Sequence, residues 1–212
     1  PISLVTNHSP QELSKKFPQY FDRIVLDAPC SGEGMFRKDP EAINYWHTDY
    51  PAENATRQRE ILVETMKMLK PGGTLVYSTC TFAPEEDEQI IAWLLATYPG
   101  LHLVDVPKHD GMSDGHPEWA DGNPELVKPV RLFPQFVAGE GHFMAKLQYQ
   151  PEDESTAKEP KLAKTNLTAD QRQYWDDFQQ KFLPSYQPGV LLAFGDQLYA
   201  APTGTPELKG IQ

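Results

Sequence analysis

The chain contains two cysteines, and each closes an apolar, strand-like run: Cys30 in F-D-R-I-V-L-D-A-P-C-S-G-E-G (Phe21 to Gly34) and Cys80 in T-L-V-Y-S-T-C-T-F (Thr74 to Phe82). A thiolate is the strongest common side-chain nucleophile near neutral pH, and it reacts from a partly open, electropositive pocket. In α/β sheets such pockets form outside the carboxyl ends of strands. Two cysteines at two such ends point to one shared site. Asp27, at the end of the first run, adds a carboxyl that can contact a cofactor, hold a polar base edge or cap the following turn. Competing readings are a disulfide, an inert core pair and a zinc site. Secreted small domains are far denser in cysteine, and the opening residues show no basic-then-apolar leader, so a reducing, cytoplasmic setting is the expectation. Free cysteine is often buried without a function. Zinc is disfavoured because the chain has no C-x-x-C and its six histidines are scattered, so no metal is expected.

These residues need elements that bring them together. Ile2 to Thr6 reads as a strand, Pro10 to Lys16 as a short helix, and Arg23 to Leu26 as a near-continuously apolar strand of the kind buried on both faces of a parallel sheet. Pro51 to Leu69 is helical, with Ile61, Leu62, Thr65, Met68 and Leu69 on one face, and Lys70-Pro71-Gly72-Gly73 stops it. Thr74 to Thr79 is the next strand. A helix from Pro84 to Tyr98 follows, with Pro84 at its first position and Glu85, Glu86 and Asp87 complementing the positive end of its dipole. Leu101 to Val106 is a strand, a Gly/Pro/Asp-rich loop runs to about Pro129, and Val130–Leu132 and Gly141–Tyr149 supply late strands. The alternation predicts an α/β domain over residues 1–150 with a parallel or mixed sheet. Residues 151–166 are polar and breaker-rich, as a linker is. Residues 167–212 open a small α+β unit. There Thr168 and Gln171 form a capping box, Trp175, Phe178 and Phe182 share a helix face, and Gly195-Asp196 turns a hairpin between Val190–Phe194 and Gln197–Ala201.

The net charge of −11 argues against binding a polyanion by bulk electrostatics. Its distribution is uneven. Residues 81–127 hold ten acids and one base, residues 21–80 nine acids and seven bases, and residues 128–150 one acid and three bases. A polyanion site would therefore lie near Arg37, Lys38, Arg57, Arg59, Lys128 and Arg131, unless these are ordinary solvated surface. No apolar run approaches the roughly 20 residues of a membrane span.

Five segments together resemble a known family: L-D-A-P-C-S-G-E-G with R-K-D-P (Leu26 to Pro40), T-R-Q-R-E-I-L (Thr56 to Leu62), L-K-P-G-G-T-L-V-Y-S-T-C-T-F-A-P-E-E-D-E (Leu69 to Glu88) and G-E-G-H-F-M-A (Gly139 to Ala145). They are similar to the Sun/Fmu-type RNA 5-methylcytosine methyltransferases, nearest the RsmF-type branch that modifies 16S ribosomal RNA. The resemblance implies the C-terminal part of a Rossmann-like class I S-adenosylmethionine-dependent methyltransferase sheet, with the start of an accessory RNA-binding-associated domain after it. It implies Cys80 as the nucleophile that adds to cytosine C6 and Cys30 as the residue that assists release, although DNA cytosine methyltransferases use the P-C cysteine as nucleophile. Asp27 would contact S-adenosylmethionine or the cytosine N3/N4 edge. Ser9 stands where the family commonly places an acid that reaches the cofactor's adenosine, and Arg37, Lys38 and Arg57 would hold RNA phosphate. Phe36, Tyr45, Trp46 and Tyr50 either stack on the extruded base or pack their own loop.

The family's first cofactor strand, glycine-rich loop and ribose-binding acid would precede residue 1. The expectation is thus a fragment, inactive by itself, of a cytoplasmic, metal-free, monomeric enzyme acting on 16S rRNA or the small ribosomal subunit. The alternatives are a non-catalytic RNA-binding or ribosome-assembly factor and a tRNA or DNA cytosine-C5 methyltransferase.

Overall fold

In the computed structural model, which describes residues 5–152 and 161–207, the chain divides into two units: residues 10–158, and residues 1–9 with 159–212. The expected strand at Ile2–Thr6 lies mostly outside the described residues, with Val5 and Thr6 in coil, and the middle of the expected linker also lies outside them.

The first unit contains, in order, α1 (Pro10–Lys16), β1 (Phe21–Asp27), α2 (Tyr50–Met68), β2 (Leu69–Thr79), α3 (Glu88–Thr97), β3 (Leu101–Val104), β4 (Met112–Asp114), β5 (Val130–Leu132) and β6 (His142–Tyr149). The sheet runs β1-β2-β6-β5-β4, with β3 also paired to β6. β1 and β2 are parallel, and the other pairings are antiparallel.

Cross-strand register decides which side chains share a face. Leu75 stands opposite Ile24 and Leu147, and Tyr77 opposite Leu26 and Ala145. This face is covered by Ala55, Leu62 and Met66 from α2 and by Ile90, Ile91 and Leu94 from α3. Each such aliphatic side chain contributes about 1.5–3 kcal/mol when fully buried. The opposite face carries Val25 beside Val76 and Asp27 beside Ser78, and Val25 is 73% exposed. The expectation that this strand is buried on both faces is therefore corrected. Its apolar run alternates between a covered and an open face, because among the described residues only β2 pairs with it and helices cover one side.

Two boundaries move. The α2 periodicity holds, with Leu62, Thr65, Met68 and Leu69 buried. Lys70 to Gly73, expected only to stop the helix, already belongs to β2, and the register slips there: Phe21 pairs with Leu69 but Arg23 with Thr74. The helix expected from Pro84 starts only at Glu88. Ala83 to Asp87 form a turn closed by Glu86 N–H to Ala83 O (3.1 Å) and Asp87 N–H to Pro84 O (3.2 Å).

The acidic run does not serve as a solvated dipole partner. Glu86, Asp87 and Glu88 are all 0% exposed. Arg131 on β5, expected near a polyanion surface, is instead buried against them. Its Nε and Nη2 donate to the two oxygens of Glu88 (2.7 and 2.5 Å), and Nη2 lies 3.0 Å from Asp87 Oδ2. Trp119 and Phe143 flank the guanidinium at 4.9 and 5.3 Å. The guanidinium pairs with both oxygens of Glu88, while burial still pushes the Asp87 carboxyl well above its usual range against the opposing pull of Arg131.

In the second unit, α4 (Ala169–Phe182) starts at the expected capping box of Thr168 and Gln171, and β7 (Val190–Phe194) and β8 (Gln197–Ala201) form the expected hairpin. Trp175, Phe178 and Phe182 follow one another along one helix face at 6.0 and 5.1 Å. Asn166 brackets Ala193 by accepting from its N–H (2.7 Å) and donating to its carbonyl (2.8 Å). No helix among the described residues is long and apolar enough to cross a membrane.

Replacing Arg131 with Met leaves Asp87 and Glu88 buried without their cation. The expected result is a loss of about 3–5 kcal/mol in urea unfolding of the full-length protein; a loss below about 1 kcal/mol would contradict this account of the acidic run.

Candidate active site

Parallel pairing delivers both cysteines to the same edge of the sheet. Asp27 stands opposite Ser78, and each chain then continues into its thiol, Cys30 after β1 and Cys80 after β2. The thiols are reduced and half-buried, with Sγ atoms 3.2 Å apart. The Cys80 N–H donates to Cys30 Sγ at 3.3 Å, and either thiol can donate across the S–S contact. The hydrogen bond between them holds the Cys80 thiol below its ordinary pKa and pushes Cys30 well above its own, with burial adding to the rise at Cys30. These directions favour Cys80 as the more acidic thiol. The expected electropositive pocket is not what favours it: the charges felt there, Asp27 and Glu86, are negative, and the stabilising donor is the neighbouring thiol.

The loops hold this contact through backbone. Gly34 N–H donates to Cys80 O (2.9 Å), and Gly141 N–H donates to Gly34 O (3.1 Å). A Cβ at Gly34 would stand 2.4 Å from Gly141 O and 2.8 Å from Cys80 O, and one at Gly141 would stand 2.2 Å from the Phe82 ring. Only glycine permits these approaches. The S-G-E-G and G-E-G segments are therefore spacers that set how closely the P-C and T-C loops meet.

Beneath the thiols lies a polar network absent from the sequence reading. Glu86 accepts from Ser31 N–H (3.0 Å to Oε2) and from Gln58 Nε2 (2.7 Å), and contacts Ser31 Oγ. Gln58 Nε2 also donates to Pro29 O (2.9 Å). Glu33 accepts from Ser31 Oγ (2.8 Å), Thr81 Oγ1 and Trp46 Nε1 (2.9 Å). Tyr77 OH donates to the Glu86 carbonyl (2.7 Å). Burial pushes the Glu86 carboxyl up to about 7, with Glu33 adding to the rise and the Ser31 and Gln58 donors opposing it. One signal was available: Gln58 sits four residues before Leu62 on the buried α2 face, a polar residue where the period demands an apolar one.

The other expected residues are more dispersed. Asp27 is exposed on the open face and accepts from Ser78 Oγ at 3.0 Å. Arg37 donates to Gly139 O (2.7 Å) and lies 3.8 Å from Glu140, while Lys38 and Arg57 are exposed. Ser9 is exposed coil before α1 and belongs to the second unit, so it is described apart from Asp27. Trp46 is tied to Glu33, Tyr50 packs against the His47 ring at 5.2 Å, Phe36 is half-buried and Tyr45 is 77% exposed. Among the described residues no group of three or more His, Cys, Asp or Glu is placed to hold a metal ion.

A mixed sheet whose one parallel pair ends in two facing thiols defines a Rossmann-like methyltransferase domain. The chain belongs to the 16S rRNA methyltransferase RsmB/F family, whose sequence pattern matches residues 3–148. It is 44% identical over 131 residues to the ribosomal RNA small subunit methyltransferase F of Cronobacter sakazakii and 43% identical over 133 residues to that of Escherichia coli K12. Each match covers 62% of this chain and 26% of the relative, so the chain spans about a quarter of the length of these relatives. A solved structure described as a methyltransferase homolog protein from Pyrococcus horikoshii superposes with a TM-score of 0.52 at 28% identity, over 68% of this chain and 43% of that one.

Burial of Glu86 has a thermodynamic consequence. Its folded pKa of about 7 exceeds the ordinary 4.5, so the folded state binds the extra proton between those values. This contribution to stability is fully present below pH 4.5 and is lost as pH rises towards 7. Its size is on the order of 3 kcal/mol. Urea midpoints measured across that window should fall with pH less steeply in Glu86→Gln than in the unsubstituted protein; equal slopes would show that Glu86 titrates normally.

Proposed function

We propose that this chain is the base-facing part of an S-adenosylmethionine-dependent ribosomal RNA methyltransferase that acts on cytosine C5 through a covalent cysteine adduct. One observation carries the reading: the two sulfurs lie 3.2 Å apart in hydrogen-bond contact, with the Cys80 pKa drawn down and that of Cys30 pushed up, which suits Cys80 as the attacking thiolate and Cys30 as its proton donor. Cytosine C5 is too weak a nucleophile to take a methyl group unaided. Addition of Cys80 Sγ to C6 forms a C–S bond and moves electron density to C5, making it enamine-like. S-adenosylmethionine, when bound, supplies the methyl group. After transfer, a water molecule acting as base takes the C5 proton, the freed electron pair re-forms the C5–C6 double bond, and the C6–S bond breaks to expel Cys80 as a thiolate.

Cys30 assists at that last step. Its S–H, already within 3.2 Å, donates to the departing Cys80 sulfur, which lowers the cost of expelling a thiolate. Its protonated form suits this role better than that of the attacking group.

Asp27 is the residue of this chain best placed to meet a polar group at the site. Its carboxylate is exposed at the end of β1 with Ser78 as a partner, which fits either an amine or hydroxyl of the cofactor or the N3/N4 edge of cytosine. No G-x-G-x-x-G loop occurs in the sequence. The exposed Tyr45 and the anchored Trp46 are available to stack on an extruded base, with Arg37, Lys38 and Arg57 near phosphate. RNA of the small ribosomal subunit is the partner this reading names, and a cytoplasmic monomer is the form in which it acts.

In the full-length protein, Cys80→Ala should abolish both methylation and the denaturation-resistant RNA adduct. Cys30→Ala should lower turnover by about 100-fold or more while adduct accumulates. Bisulfite mapping of the rRNA and gel shifts under denaturing conditions read both; an adduct formed by Cys80→Ala and lost in Cys30→Ala would reverse the assignment.

A further inference from the structure

Four side-chain oxygens meet beneath the thiols: Glu86 Oε1, Ser31 Oγ, Glu33 Oε2 and Thr81 Oγ1. Three of their contacts join a hydroxyl to a carboxylate: Ser31 to Glu33, Ser31 to Glu86, and Thr81 to Glu33. The two hydroxyls bring only two protons. Thr81 gives its proton to Glu33. Ser31 can serve Glu33 or Glu86, and either choice leaves its oxygen against a carboxylate oxygen with no proton between them.

Other donors do not fill the gap. Ser31 N–H and Gln58 Nε2 lie nearest Glu86 Oε2 (3.0 and 2.7 Å), and Ala83 N–H goes to Thr81 Oγ1 (3.1 Å). Ser31, Thr81 and Glu86 are all buried, so water does not relieve the mismatch. One more proton on Glu86 Oε1 closes the set: Glu86 donates to Ser31 Oγ, and Ser31 donates to Glu33. The chain of bonds then runs from Glu86 through Ser31, the neighbour of Cys30, to Glu33 and on to Thr81, the neighbour of Cys80.

We propose that Glu86 is a positioning residue for the Cys30–Cys80 pair, tying the two thiol loops together as the neutral acid and loosening them when it ionises. This rests on the reading of the site given under Proposed function. The groups facing Glu86 set the sense of the effect. Glu33 comes from the loop after β1, Tyr77 from β2, and Cys30 and Cys80 from the two thiol loops. Asp87 and Glu88 follow it in sequence and share the single guanidinium of Arg131 from β5, with burial pushing the Asp87 carboxyl well above its usual range. The side chain of Glu86 is held by the neutral donors Ser31 and Gln58, so its ionisation places a buried negative charge beside the half-buried Glu33 and removes the proton that joins it to Ser31. Burial places that event near pH 7. Turnover should therefore fall on the alkaline side even though the Cys80 thiolate fraction rises there.

The test uses the full-length protein with S-adenosylmethionine and small-subunit rRNA, comparing the unsubstituted enzyme with Glu86→Gln and Ser31→Ala. Turnover and KM are measured across about two pH units on either side of 7, together with iodoacetamide alkylation of Cys80 over the same range. The unsubstituted enzyme should lose turnover with a midpoint near 7. Glu86→Gln should lack that limb with KM within about twofold, and Ser31→Ala should lower turnover about tenfold and also flatten it. Retention of the alkaline limb in Glu86→Gln would overturn the proposal. If the unsubstituted protein makes no methylcytosine, the cytosine reading fails separately, and the alkylation profile still decides: a step near pH 7 that Glu86→Gln abolishes supports the tie, and one that it keeps refutes it. If Glu86→Gln does not fold, Ser31→Ala supplies both profiles, and an unchanged limb or step there overturns the tie.

Discussion

The approach of two sulfur atoms to 3.2 Å is the constraint around which the first unit is organised. Parallel pairing of β1 and β2 is necessary for it but not sufficient, since strand ends lie about 4.8 Å apart and the chains diverge beyond them. What closes the gap is the packing of the loops: a glycine backbone between Cys80 and β6, and a buried carboxylate beneath both thiols. The contact in turn decides the chemistry. A thiol that receives an S–H hydrogen bond is the better thiolate, and the one that donates is the better acid.

The acidic stretch acquires a different meaning from its place in the fold. Glu86, Asp87 and Glu88 occupy three successive buried positions, yet two are matched by Arg131 and one by neutral donors. Asp87 and Glu88 hold the start of α3 against β5 through Arg131 and stiffen the scaffold. Glu86 is turned towards the cysteines, where burial pushes its carboxyl up to about 7. Three of the acids behind the net charge of −11 thus never meet solvent, and overall charge says correspondingly less about which polyions the surface can approach.

The two units differ in how they are held. The first rests on a covered sheet face with fully buried Leu62, Leu75, Tyr77 and Ile90. The second relies on a capped helix, a hairpin and a row of aromatics, of which Phe178 and Phe182 remain substantially exposed. Locally encoded elements of that kind form from short-range signals, and long-range packing adds less to them.

That difference separates the features readable from neighbouring residues from those that were not. The capping box at Thr168, the hairpin at Gly195-Asp196, the short α1, the buried stripe of α2 and the placing of both cysteines after strands were legible, because each depends on periodicity or turn chemistry within a few residues. The late start of α3, the burial of Arg131 and the open face of β1 were not. Each depends on which partner arrives from a distant part of the chain, and a charged or apolar side chain reads the same in sequence whether or not that partner is present. The sequence supplied two thiols, an Asp and a run of acids. Only the tertiary structure decided that one thiol donates to the other and that Glu86 lies beneath them, because a proton's position depends on donor–acceptor distances and burial that spacing along the chain does not contain.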